Sequence, residues 1–127
     1  MATTATVRRP GARAEPCDLM RREVVLEPGG CTGWHYHRVP LMAVVVSGTL
    51  TRVLGDGTVE VHPVGATFVE PAGAGHVHLG RNLGARPIVL HVICALPEGA
   101  PFAVPVPAPR GAAPCGCPEH DGAAVPW

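Results

Sequence analysis

The sequence predicts a small all-β domain that closes into a barrel or jelly roll, and three observations support this. Short segments rich in Val, Ile, Leu and Thr follow one another, and none keeps a helical period for long. Glycine (16 residues) and proline (15 residues) separate these segments. Many short strands in one domain must close or fold over, because an open sheet would leave unpaired edges exposed.

Turn residues divide the apolar segments into eight predicted strands. These are residues 19–26, 32–38, 41–46, 49–54, 58–62, 66–70, 75–80 and 87–95. Asp56-Gly57 is the clearest hairpin signal, because its turn needs residues that tolerate a positive φ.

The chain length of 127 residues predicts one domain with a tail at each end. We assign residues 1–17 to a flexible N-terminal tail, 18–97 to the barrel and 98–127 to a Pro/Ala/Gly-rich C-terminal tail. Such tails bury too little apolar surface to offset the entropy of ordering them. Phe102 to Val106 is the exception, because this segment can lie extended along the barrel or reach a partner subunit.

Charge and composition exclude several classes of partner. Ten basic residues balance ten acidic residues and the arginines are scattered, so we expect no nucleic-acid binding. No apolar run is long enough to span a membrane, and no secretory signal is evident, so we expect a cytoplasmic protein without membrane contact. Five cysteines, an odd number at irregular spacing, favour reduced thiols.

Two His-x-His pairs are the strongest chemical signal. Side chains alternate between the faces of a strand, so His35 and His37 share one face while Trp34 and Tyr36 take the other. A second pair, His76 and His78, follows a glycine-rich turn. Neutral imidazole is a common ligand for transition metals. Four imidazoles can therefore converge inside a narrow barrel.

The spacing of these residues resembles the two motifs of the cupin superfamily, over roughly residues 19 to 95. In the first motif, five residues separate Gly29 from His35, His37 follows, and Gly48 closes the motif. The second motif is matched at Gly65, Pro71, Gly73 and His76.

The chain departs from the family pattern at two places. Leu41 stands where the family usually has its metal-binding Glu, and Asn82 has the family's spacing to His78 and not to His76. The glycine and proline positions before the histidines therefore favour His76 as the third ligand, whereas the position of Asn82 favours His78.

The resemblance implies a cupin barrel that holds a divalent transition metal. Its ligands would be His35, His37 and His76, with His78 as a fourth ligand or proton relay. A histidine shell without Glu is similar to that of the thiol dioxygenases. It favours Fe(II), and Zn, Ni, Mn or Cu also fit.

The expected function is an oxygenase-like, metal-dependent enzyme acting on a small organic substrate inside the barrel. A metal-dependent isomerase or cyclase, and a non-catalytic small-ligand-binding protein, remain alternatives. The catalytic acid or base would be His78 or His91. His91 is equally well interpreted as a core histidine that is hydrogen-bonded to a backbone carbonyl. Glu70 can orient an imidazole or lie at the surface. We expect the apolar wall to include the following residues: Met42, Val44, Phe68 and Val92.

Two further expectations concern the surface and the tail. The resemblance implies a homodimer, for which the outward-pointing Trp34 and Tyr36 are candidate interface residues. Cys115, Cys117 and His120 have metal-binding side chains, but they do not complete a four-ligand zinc site without a second half.

Overall fold

The computed structural model describes residues 6–7, 17–97, 99–113 and 115. These residues form strands and turns without a helix, which confirms the predicted all-β fold. The strands are β1 (Thr6–Val7), β2 (Cys17–Asp18), β3 (Met20–Leu26), β4 (His35–Tyr36), β5 (Leu41–Ser47), β6 (Leu50–Leu54), β7 (Val59–His62), β8 (Thr67–Glu70), β9 (His78–Arg81), β10 (Ile88–Cys94) and β11 (Val104–Pro105). None of the described residues belongs to a helix that could cross a membrane.

Two antiparallel sheets make up the barrel. One has four strands in the order β3-β10-β5-β8, and the other has five in the order β11-β4-β9-β6-β7. Strands β1 and β2 pair separately. The side chains of β5 show which face of its sheet points inward, because Leu41, Ala43 and Val45 are buried while Met42 and Val46, on the other face, are exposed.

The Asp56-Gly57 turn joins β6 to β7 as the sequence predicts. The amide of Gly57 donates to the carbonyl of Leu54 at 2.9 Å, and the amide of Leu54 donates to the carbonyl of Thr58 at 2.8 Å. Gly57 has a φ of 91°, a conformation that glycine adopts without a steric penalty. Local turn chemistry therefore determines this hairpin.

Part of the predicted C-terminal tail packs on the barrel. Strand β11 pairs with β4, and the amide of Val106 donates to the carbonyl of Trp34 at 3.0 Å. The indole Nε1–H of Trp34 donates to the carbonyl of Ala113, also at 3.0 Å. Phe102 is buried in the main core. Burial of its large apolar ring offsets the conformational entropy that is lost when the segment becomes ordered.

This packing changes the role expected for Trp34. Its side chain points outward from β4, as alternation predicts, but it is buried with Cys31, Leu79 and Cys115 beneath the chain's own C-terminal segment. Trp34 is therefore covered within the subunit and does not offer an open face to a partner.

Candidate metal centre

Strands β4 and β9 bring three histidines together from distant parts of the sequence. His35 and His78 are direct cross-strand partners, and His37 follows two residues after His35 on the same face. All three side chains are buried, with exposed fractions of 1–3 %. The sheet register therefore places imidazoles from two strands at one point inside the barrel.

The three rings lie close enough to share one ion. Ring centroids are 4.9 Å apart for His35 and His37, 4.4 Å for His35 and His78, and 5.2 Å for His37 and His78. One nitrogen from each ring lies within 4.8 Å of the others. This is the only such group of three potential ligands among the residues that the structure describes.

Backbone carbonyls determine which nitrogen each ring offers. The Nδ1 atoms of His35, His37 and His78 lie 2.9, 2.8 and 2.9 Å from the carbonyl oxygens of Gly33, Phe102 and His76 respectively. A carbonyl only accepts, so each Nδ1 carries the proton and donates it. The neutral rings therefore have their Nε2 lone pairs available as metal ligands.

Glu70 supplies a carboxylate to the site, although Leu41 occupies the position where the family usually has its metal-binding Glu. It ends β8 directly opposite Leu41 in the ladder, so both side chains lie on the inner face. Its Oε1 lies 3.2 Å from Nε2 of His37, and its Oε2 lies 2.9 Å from Nε2 of His78. The shell expected to be neutral thus has a negative charge, contributed by a neighbouring strand.

Arg52 holds Glu70 in this place. Its Nε donates to Oε2 of Glu70 at 3.0 Å, and its Nη1 donates to Oε1 of Glu60 at 2.6 Å. Glu60 also lies 3.0 Å from Nε2 of His62. A chain of charged and polar groups therefore connects the buried histidines to the surface.

The environment shifts the pKa of two groups strongly. Burial, together with the nearby His78, lowers the pKa of His35 to about 3, so this imidazole stays neutral at ordinary pH. Burial alone would raise the pKa of Glu70. Contacts with His37 and His78 and the charge of Arg52 outweigh burial and hold that pKa well below its usual value.

Nε2 of His78 tests whether a metal ion fits this site. Nε2 of His78 is buried and forms no hydrogen bond in the part of the chain that the structure describes, although Oε2 of Glu70 is 2.9 Å away. A lone pair that faces a carboxylate oxygen is unfavourable unless a cation lies between them. Three imidazoles and a carboxylate are a donor set that divalent transition metals favour. The residues present fit a divalent metal.

The other predicted site residues lie elsewhere. His76 is exposed in the turn before β9 and contributes its carbonyl, because the strand begins only at His78. His91 lies on the outer face of β10, 3.2 Å from Glu23, because Leu90 and Val92 take the inward positions. Cys115 is buried away from the histidine cluster. Cys117 and His120 lie outside the described residues.

The apolar wall is partly as expected. Phe68 and Val92 line the cavity beside the histidines, whereas Met42 is exposed and Val44 lies on the opposite face of β5. The inward position of Glu70 could have been predicted from that of Phe68, because residues two apart on a strand share a face. A wall residue at 68 therefore implies an inward side chain at 70.

Comparisons with known proteins support the same fold. Residues 22–94 match the family model described as "Cupin domain". A double-stranded β-helix protein from Klebsiella pneumoniae is 24 % identical with a TM-score of 0.60, and the match covers 79 % of this chain and 90 % of that one. None of the curated proteins matches this sequence.

Two structurally similar proteins are enzymes. A structure of DMSP lyases is 24 % identical with a TM-score of 0.59, covering 69 % of this chain and 44 % of that one. An oxalate oxidase in complex with the substrate analogue glycolate is 26 % identical with a TM-score of 0.58, covering 70 % of this chain and 46 % of that one. This chain thus spans less than half the length of either enzyme.

Proposed function

Because the chain belongs to the cupin domain family, we propose that it is a metal-dependent enzyme acting on a small organic molecule. His35, His37 and His78 hold the metal, and Glu70 is the carboxylate beside it. The observation that carries this proposal is the convergence of three buried imidazoles on a carboxylate, with Nε2 of His78 left without a hydrogen bond.

The donor set determines which metals we expect. Imidazole and carboxylate together suit Fe(II) and Mn(II), and imidazole also binds Zn, Ni and Cu. We favour Fe(II). The bound ion would supply Lewis-acid or redox chemistry, depending on its identity.

The chain's own residues prepare the site for this chemistry. Carbonyls of Gly33, Phe102 and His76 keep a proton on each Nδ1, so the Nε2 lone pairs stay aimed at the centre. Arg52 keeps Glu70 ionised and in place. Apolar side chains such as Leu50 and Phe102 surround the cluster, where low polarity strengthens its electrostatic interactions.

Our first candidate reaction is oxidation of the substrate with O2. Similarity to an oxalate oxidase at 26 % identity supports this class of reaction. A second candidate is an isomerase or cyclase, in which the bound ion would polarise a carbonyl of the substrate. The third candidate is a non-catalytic protein that binds a small ligand without turnover.

Metal loading and oxygen consumption separate these candidates. Purified protein is loaded with Fe(II), Mn(II) or Zn(II) under anaerobic conditions, and bound metal is measured by elemental analysis. We expect about one ion per chain. Oxygen uptake with a panel of small organic acids then tests for an oxygenase. Turnover with Zn(II) in the absence of O2 would favour the isomerase or cyclase.

Two histidine variants test which residues hold the ion. We expect His78→Ala to lose stoichiometric metal binding, since one of three ligands disappears. We expect His76→Ala to keep it, because its exposed side chain lies outside the cluster. Equal metal content in the two variants would contradict the assignment, and loss in His76→Ala alone would restore the ligand set expected from the sequence.

A further inference from the structure

The cavity inside the barrel is too small for an organic substrate. It measures about 30 Å³. One water needs about 10–15 Å³ in the same measure, so the cavity has room for only a few waters. A groove on the outside measures about 570 Å³ and includes Arg52 and His78, which also line the inner cavity. Typical small-molecule sites occupy several hundred Å³.

We propose that this outer groove binds a small monocarboxylate, with its carboxylate at Arg52 and its hydrocarbon part along the apolar walls. The inference rests on the proposed function for the nearby ion, and it assigns the substrate class and the side of entry. Arg52 and His78 line both the groove and the inner cavity, so a ligand in the groove lies next to the metal centre on its His78 side.

Charge balance favours an anion with a single charge. A divalent ion and the Arg52 guanidinium are opposed by two carboxylates, Glu60 and Glu70. The three imidazoles add no charge, because each donates from Nδ1 to a carbonyl and offers its Nε2 lone pair to the ion. The ion, Arg52, Glu60 and Glu70 together therefore keep one net positive charge. A monocarboxylate that takes the place of Glu60 keeps this balance, whereas a neutral ligand in the same place would leave one more positive charge uncompensated.

Arg52 has a partner that a ligand can replace. Its Nη1 is bound to Glu60, whose side chain is 36 % exposed, whereas its Nε is bound to Glu70, which is 10 % exposed. Releasing Glu60 to solvent costs less than uncovering Glu70, because an exposed carboxylate regains its hydration. An incoming carboxylate can therefore take the place of Glu60 on the guanidinium.

The walls of the groove suit a short hydrocarbon chain. Apolar side chains line it from three parts of the sequence: Leu54 from β6, Val69 from β8, and Val106, Pro107 and Pro109 from the C-terminal segment. His76 also lines the groove, so this exposed imidazole belongs to the substrate side of the site and not to the metal shell.

The test measures binding of a probe to zinc-loaded protein, which avoids any dependence on turnover. Butyrate is the probe and butyramide its neutral counterpart, and binding is followed by ligand-observed NMR. Ala74→Trp fills the groove from an exposed turn, and Ala85→Trp is the matched control at an exposed position outside it. Zinc content is measured for each protein.

We expect butyrate to bind at least about tenfold more tightly than butyramide, because a charge-assisted hydrogen bond is lost with the amide. We expect Ala74→Trp to weaken butyrate binding by about tenfold or more and Ala85→Trp to leave it unchanged. Butyrate binding that is absent, insensitive to Ala74→Trp or equal to that of butyramide would overturn the inference while zinc still binds. Absence of zinc binding would instead overturn the proposed function.

Discussion

Glu70 is the residue on which the chemistry of the site depends most. Burial disfavours the charged form of this carboxylate, but contacts with His37, His78 and Arg52 favour it and lower the pKa of Glu70 well below its usual value. It also occupies the cross-strand position opposite Leu41. One residue on β8 therefore restores the carboxylate that the first motif lacks.

Replacing Glu70 tests its contribution to metal binding. We expect Glu70→Gln to lower zinc affinity by about 10–100-fold, because the neutral amide keeps the size of the side chain but not its charge. Competition titration with a chromogenic chelator gives the affinity. Glu60→Gln is the matched control, since Glu60 bonds the same arginine but does not contact His35, His37 or His78. Equal affinities in the two variants would show that Glu70 does not act on the ion.

At the scale of elements, the C-terminal segment contributes to the surroundings of the histidine cluster. It follows the part of the chain that matches the family model, yet its Phe102 carbonyl accepts the Nδ1–H of His37. Its strand β11 pairs with β4, which carries His35. The segment thus stabilises the position and the tautomer of ligands that lie more than sixty residues earlier in the chain.

Removal of this segment has a direct optical readout. A chain that ends at residue 100 keeps Trp34 as its only tryptophan, and full-length Trp127→Phe is the matched reference. We expect truncation to shift Trp34 emission to longer wavelength, because the segment buries this side chain. We also expect zinc affinity to fall by about tenfold or more, because His37 loses its carbonyl partner. Unchanged emission and affinity would contradict this role.

For the whole molecule, the buried histidine cluster makes stability depend on pH. The pKa of His35 is about 3 in the folded chain, against 6.5 as its ordinary value. Between these values the unfolded chain binds a proton that the folded chain does not. The free energy of unfolding therefore falls as the pH drops from about 6.5 to about 3, by up to about 1.4 kcal/mol per pH unit. Because the pKa of Glu70 is also lowered in the folded chain, protonation of Glu70 further decreases the free energy of unfolding at acidic pH.

Urea unfolding of the metal-free protein at several pH values measures this dependence. We expect His35→Asn to reduce the slope below pH 6.5, because the substituted side chain does not titrate. His91→Asn, on the outer face of β10, serves as the control. An unchanged slope in His35→Asn would show that this imidazole does not account for the acid sensitivity.

The homodimer implied by the family resemblance stays a prediction, but the structure suggests a different face for it. Ile93, Met42 and Val69 are neighbours across β10, β5 and β8, and they are 39 %, 54 % and 59 % exposed. We expect Met42→Glu to shift the protein towards monomer in analytical ultracentrifugation, because burying the new charge is costly. Val64→Glu, at an exposed turn, should have no effect. A monomeric parent protein would refute the dimer itself.

The sequence by itself determined the strands, the hairpin at Asp56-Gly57 and the shared face of His35 and His37. These features follow from alternation and turn chemistry, which act between residues close in the chain. Only the tertiary structure decided that His78 completes the cluster, that Glu70 supplies the carboxylate, and that the C-terminal segment covers Trp34. Those outcomes depend on register and packing between segments far apart in sequence, which local periodicity does not specify.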